Sequence, residues 1–181
     1  VRSRGLGDVY KRQGSICSTR IQTGHGIPTL QSIIDCARSH KNISLIADGG
    51  IRTSGDIVKA LAAGADFVML GSLLAGTAET PGDIVYKDRI PHKVYRGMAS
   101  VEAQIDWRGH SSSEEGVSSM VPRQGPVRDV LNGLEKGIRS GLSYSGVRTI
   151  AELQAKGKFI SQSSAGMAES STHIKKMNRH K

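Results

Sequence analysis

The sequence predicts an α/β fold built on a parallel sheet, and three observations carry that expectation. Apolar residues recur at helical spacing in separate segments, short apolar runs that stop abruptly in glycine lie between them, and the connections are only a few residues long. Composition agrees, since 181 residues with 37% apolar content suffice for one packed domain.

Leu30, Ile33, Ile34 and Ala37 share one face of a helix that ends near Ser39. The run "ISLIADGG" follows, and its stop at Asp48, Gly49 and Gly50 reads as a buried parallel strand entering a functional loop. In "TSGDIVKALAAG" a helix starts at a Thr53 or Ser54 cap, turns Ile57, Ala60 and Leu61 inward and stops at Gly64. "DFVMLGS" is a second buried strand ending in glycine. After "LLAGTAETPG" the pattern lapses for about 45 residues, and a loop of that length is expected to be functional or disordered. Helical periodicity returns at Val127, Val130, Leu131, Leu134 and Ile138 and closes at Gly141. A short helix over roughly Thr149 to Ala155 precedes the polar stretch "SQSSAGMAESSTHI", and no solenoid repeat is present.

No stretch approaches the roughly 20 apolar residues that cross a bilayer, and the charged start lacks the apolar run of a signal peptide. A soluble, cytoplasmic protein with no membrane partner is expected. Cys17 and Cys36 lack CxxC spacing and neighbouring histidines, which excludes a disulfide framework or a zinc site and leaves free thiols. The net charge of +9 suggests a nucleic-acid partner until it is placed along the chain. Residues 1–13 carry +3 and residues 175–181 carry +4, which leaves +2 for everything between. A basic tail without interleaved aromatic residues reads as a solvated end, so nucleic-acid binding is not expected.

The strand ends "ADGG" and "LGS" offer backbone N–H groups unobstructed by side chains at the start of the next helix, a cradle for phosphate. Asp48 beside the first can accept hydrogen bonds from ribose hydroxyls. Gly49, Gly50 and Gly71 also serve simple tight turns, and the residues alone leave both readings open. Cys17 stands in "GSICSTR", where glycine and hydroxyl neighbours and Arg20 can favour a thiolate, although from spacing alone a lone cysteine is more often inert. Glu115 in "SEEGVSS" is an exposed glutamate unless the long loop folds it over the cysteine, where it would carry protons.

Taken in order, "GSICSTR", "TGHGIP", "IADGGIRTSGDIVKALAAGADFVMLGSLLAG", "YRGMAS", "EEGVSS" and "KGIRSGLSYSG" resemble the IMP dehydrogenase and GMP reductase superfamily from Gly14 to about Ile174. Flavin-dependent barrels carry similar "ADGG" segments, but the cysteine loop together with "YRGM" favours this family over them. The resemblance implies a (β/α)8 barrel, of which this chain is the C-terminal part with its N-terminal strands missing, assembled as a homotetramer. It implies that Cys17 is the nucleophile that adds to purine C2, with hydride passing to or from a nicotinamide, and that Thr19 and Glu115 handle protons. It further assigns the phosphate of a purine mononucleotide to Ser15, Gly50, Gly71, Ser72 and Tyr95, its ribose to Asp48, and its base to Met98 and Gly116, with Gly97 also in the nucleotide site.

Within that family, dehydrogenases carry a long flap with an Arg-Tyr pair that activates water. Here 18 residues run from Ala99 to Gly116, Arg108 follows Trp107, and no Arg-Tyr pair occurs among them. The short flap and "TGHGIP" resemble a GMP reductase, which uses NADPH to release the purine amino group as ammonia. By contrast "SSAGMAESSTHI" is similar to the dehydrogenase C-terminus, which implies potassium bound through Gly14, Cys17, Glu169, Ser170 and Ser171. The expectation is therefore a GMP reductase acting on GMP with NADPH, with a dehydrogenase oxidising IMP with NAD as the alternative. A nucleotide-binding protein without catalysis is a second alternative, suggested by the missing pair.

Residues 1–13, "VRSRGLGDVYKRQ", have neither helical nor strand period and resemble a translated adapter more than the family, so they are expected to be non-native. Residues 14–174 then form the catalytic portion with a flap over about 95–122, and 175–181 a basic tail. Two clear strands cannot close a barrel, so the chain alone is expected to expose strand faces and edges and to be insoluble or inactive.

Overall fold

The computed structural model describes residues 17–39, 43–112 and 116–170. It begins with a single helical turn, α1 (Thr19–Thr23), followed by α2 (Thr29–Ser39), which buries Ile33 and sets Ile34 and Ala37 partly inside as the spacing predicts, whereas Leu30 of the same predicted face lies in the first turn and stays exposed. β1 (Ile46–Asp48) and β2 (Phe67–Met69) pair in parallel, Ile46 opposite Phe67 and Asp48 opposite Met69, with α3 (Ser54–Ala62) crossing between them. Thr53 caps α3: its hydroxyl accepts from the Asp56 amide, while the Asp56 carboxylate accepts from the Thr53 amide.

α5 (Val127–Tyr144) and α6 (Ile150–Lys156) both pack on α3. α5 runs three residues past the predicted stop at Gly141, because that glycine lies against Val58 of α3 and continues the helix. α6 starts at the Thr149 cap and buries Leu153. Ile33, Ala47, Ile57, Ala60, Leu61, Val147 and Leu153 form one core, where each large aliphatic side chain contributes about 1.5–3 kcal/mol.

The expectation that both strands are buried holds for one face of the sheet. Ala47 and Val68 turn towards the helices, whereas Ile46, Phe67 and Met69 on the other face are 53%, 59% and 51% exposed. The stretch read as a long loop is largely ordered structure. β3 (Ile84–Lys87), β4 (Ile90–Arg96) and β5 (Ser118–Pro122) form an antiparallel sheet in the order β3-β4-β5, with α4 (Val101–Arg108) between the last two. The polar stretch after α6 likewise holds a short helix, α7 (Ser164–Glu169), capped by the Ser163 hydroxyl. No helix among the described residues is long and apolar enough to cross a membrane.

Candidate active site

The parallel pairing dictates where the site forms. With Asp48 opposite Met69, the loops after β1 and β2 leave the sheet side by side, at the strand ends where such folds carry ligands. Gly49 and Gly50 have φ of +89° and +79°, a conformation that strains any side chain. Asp48 is exposed at the same strand end.

The start of α3 contributes less than the sequence suggests. Its carboxylate Asp56 takes the amides of Arg52 at 3.1 Å and Thr53 at 3.0 Å, so these donors and the helix dipole are already answered by a negative charge. The expected cradle at this strand end thus narrows to the glycine pair, since the helix terminus is engaged by Asp56. At the second strand end, Gly71 lies against Tyr95 of β4: a Cβ at position 71 would stand 2.8 Å from the Tyr95 hydroxyl. Ser72 is half-buried next to it. Gly71 and Tyr95, far apart in sequence, thus meet in space, with Ser72 next to Gly71 along the chain.

Cys17 pairs through its main chain with Gly116 as an antiparallel bridge, and Gly116 also bridges Ser100 in parallel. A Cβ on Gly116 would come within 2.7 Å of the Ser100 nitrogen, so the approach of Gly116 to the Ala99–Ser100 backbone requires a residue without a side chain. The Cys17 Sγ lies 3.3 Å from the Thr19 hydroxyl. The Ser100 amide donates to the Gly97 carbonyl at 3.0 Å and the Gly97 amide to the Val117 carbonyl at 3.4 Å. The turn between Gly97 and Ser100 presents Met98 at 74% exposure, and its closing residue Ser100 is the one bridged to Gly116.

Of the predicted residues, the structure brings Cys17 to Thr19 and Gly116, Gly97 and Met98 to the turn beside that bridge, and Gly71 to Tyr95. Gly14, Ser15, Glu115 and Ser171 lie outside the described residues, as do all of residues 1–13 and the basic tail 175–181. Glu169 ends α7 and Ser170 caps it, its hydroxyl accepting from the Gln162 amide at 2.6 Å and donating to the Gly166 carbonyl at 2.9 Å. Among the described residues no group of three or more His, Cys, Asp or Glu side chains gathers to hold a metal. An apolar cavity of about 450 Å³ between β2, α3 and α5 includes none of the predicted site residues.

Several residues that organise the site carry no motif. Ser100 is fully buried and caps α4 through the Ala103 amide, for which a serine ahead of a helix was the available signal. Gln104 is buried and ties the flap together, donating to the Ala99 carbonyl and accepting from the Ser112 amide at 2.9 Å. Arg96 pairs with Asp106 at 2.5 Å, and the Arg108 guanidinium lies 4.5 Å over the Trp107 ring. Glu102 accepts from its own backbone amide and from the Ser118 hydroxyl, and these bonds hold its carboxyl below the usual range.

A family model described as "IMP dehydrogenase / GMP reductase domain" matches residues 9–173. An inosine-5'-monophosphate dehydrogenase from Nitrosopumilus maritimus is 48% identical over 174 residues, covering 88% of this chain and 37% of that protein. A GMP reductase from Leishmania major is 46% identical over 172 residues, with 88% of this chain and 35% of the relative covered. Among solved structures, a GMP reductase variant from Trypanosoma brucei in complex with guanosine 5'-monophosphate superposes with a TM-score of 0.84 at 44% identity, over 89% of this chain and 35% of that one. The chain thus spans little more than a third of the length of these relatives.

Proposed function

The chain belongs to the IMP dehydrogenase / GMP reductase family, and from that membership we propose that it is the C-terminal barrel portion of a GMP reductase that converts GMP to IMP through a covalent bond to Cys17. The observation that carries the proposal is the main-chain pairing of Cys17 with Gly116, which sets a thiol against the residue that follows Glu115 in sequence.

In this reading the glycine loop at 49–50, Gly71, Ser72 and Tyr95 grip the nucleotide phosphate, Asp48 takes the ribose, and Met98 and Gly116 bound the base. Ser15 adds a phosphate contact. Cys17 Sγ then adds to purine C2, and the C2–N bond breaks as the amino group leaves as ammonia, protonated through Thr19 and Glu115. NADPH is the co-substrate, supplying hydride to C2 as it is oxidised. The C–S bond breaks, Sγ keeps the electron pair, and IMP is released.

Arg108 supports the reductase over the dehydrogenase, because its guanidinium lies over Trp107 and it is followed in sequence by Gly109 and not by the tyrosine of a water-activating pair. The IMP dehydrogenase reading with NAD draws on the 48% identical relative and on the C-terminal "SSAGMAESSTHI". A cytoplasmic homotetramer completes the proposal, with potassium held by carbonyls near Gly14, Cys17, Glu169, Ser170 and Ser171.

The complete gene product, assayed with and without potassium, decides. Oxidation of NADPH with GMP is the expected outcome, and reduction of NAD with IMP selects the dehydrogenase. Cys17→Ala is expected to bind GMP and to lose turnover altogether. Nucleotide binding without turnover of either substrate in the wild type would leave a non-catalytic binding protein.

A further inference from the structure

Lys93 of β4 is a charged residue with only 4% of its surface exposed. An ammonium taken out of water is kept only where polar atoms replace its hydration. Here one loop supplies them: Nζ donates to the carbonyl oxygen of Ala78 at 3.2 Å and to that of Thr80.

Both carbonyls belong to the stretch 71–80 that leaves β2, and this stretch is a run of linked turns. The Leu74 amide donates to Gly71 at 3.0 Å, Thr77 to Leu74 at 3.0 Å and Thr80 to Thr77 at 3.2 Å. The hydroxyls of Thr77 and Thr80 share the Leu74 carbonyl at 2.9 and 2.7 Å. Each turn closes on the one before, so the segment behaves as a strut with Gly71 at one end and Thr80 at the other.

β4 meets both ends of that strut. Lys93 and Tyr95 are two residues apart on one strand, so their side chains leave the same face. Lys93 holds the 78–80 end and the Tyr95 hydroxyl lies against Gly71. We propose that Lys93 is a positioning residue for nucleotide phosphate: its ammonium ties the 71–80 strut to β4 and thereby fixes the spacing between Gly71–Ser72 and the Tyr95 hydroxyl. The proposal rests on the reading of Gly71, Ser72 and Tyr95 as phosphate-binding residues. Lys93 acts through the strut, two of its donors being engaged by the Ala78 and Thr80 carbonyls.

The test compares GMP with guanosine, which lacks the phosphate, by calorimetric titration of the complete gene product. Lys93→Met keeps the aliphatic stem and removes the ammonium. It is expected to weaken GMP about tenfold, the scale of a small misplacement in a built site, to leave guanosine binding unchanged, and to raise KM for GMP while kcat is kept. Lys93→Arg keeps the charge, but its longer planar fork does not reproduce the two-carbonyl geometry, and a smaller loss of GMP preference is expected. An unchanged ratio of GMP to guanosine affinity in Lys93→Met overturns the proposal. Should that variant fail to fold, an unchanged ratio in Lys93→Arg overturns it equally. A wild type that binds GMP no better than guanosine overturns the phosphate reading itself, a result distinct from a wild-type preference that survives both substitutions.

Discussion

Gly116 touches Cys17 on one side and Ser100 on the other through its main chain, so the flap's return strand is anchored to the cysteine loop before any side chain is considered. Glu102 fastens the same region from α4, its carboxylate accepting from the Ser118 hydroxyl at 2.9 Å at the start of β5. Its own backbone amide, then Ser118, hold its pKa below the ordinary value. The folded carboxylate therefore takes up protons less readily than the unfolded one. Its contribution is present in full above the ordinary glutamate range and is lost as pH falls through the depressed value. Because the group is exposed, the effect is small. The expected signature is a lower unfolding midpoint for Glu102→Gln at neutral pH and convergence with wild type in acid; a difference independent of pH would remove the carboxylate from this role. Such partnerships are invisible along the sequence. Cys17 and Gly116 stand 99 positions apart, and only family resemblance, not spacing, joined them. Lys93 and Gln104 carried no signal, since a buried lysine and a buried glutamine look like surface residues until the fold covers them.

At the scale of elements, α5 meets α3 through glycines. A Cβ at Gly137 would stand 2.1 Å from the Ser54 hydroxyl and 2.5 Å from its Cβ, contacts that require the helices to move apart. Alanine gains about 1 kcal/mol of helix propensity over glycine, whereas overpacking a tight contact costs about 1–3 kcal/mol. The steric cost wins because both opposing atoms belong to a short side chain at the start of a capped helix. Gly137→Ala is expected to lower stability by about 1–2 kcal/mol in urea unfolding, and a stabilised variant would show that the helices separate freely. The helices α2, α3, α5 and α6 were legible from their apolar spacing, reinforced at α3 and α6 by the threonine caps Thr53 and Thr149. The sheet β3-β4-β5 was not, for a physical reason. Its turn residues Asp88 and Arg89 adopt φ of +51° and +63° without the glycine or asparagine that usually marks a two-residue hairpin. Its outer strand β3 is exposed along its length, so no alternation of apolar and polar residues betrays it. β4 buries a lysine where the pattern leads one to expect an apolar residue.

For the molecule as a whole, the decisive feature is the uncovered face of the parallel sheet. Parallel sheets are stable when both faces are covered, and here the helices cover only the side of Ala47 and Val68. Ile46, Phe67 and Met69 stand on the other side, more than half exposed. Because each is already nearly half covered, closing the remainder would contribute about half the value of a fully buried side chain, roughly 2–5 kcal/mol for the three together, a sizeable fraction of the stability of an ordinary domain. The charge distribution opposes association only weakly between the termini, since +7 of the net +9 lies within residues 1–13 and 175–181. The 181-residue polypeptide by itself is therefore expected to bind an apolar dye such as anilinonaphthalene sulfonate and to self-associate with rising concentration, more strongly at high salt as the remaining repulsion is screened. Phe67→Ser and Met69→Ser together are expected to reduce both signals without disturbing α3 or α5, because neither side chain belongs to the core those helices share. A dye-silent monomer in sedimentation would mean that this face is closed by the chain itself, and the strand ends that carry Asp48 and Gly71 would then sit in a different environment from the open edge seen here.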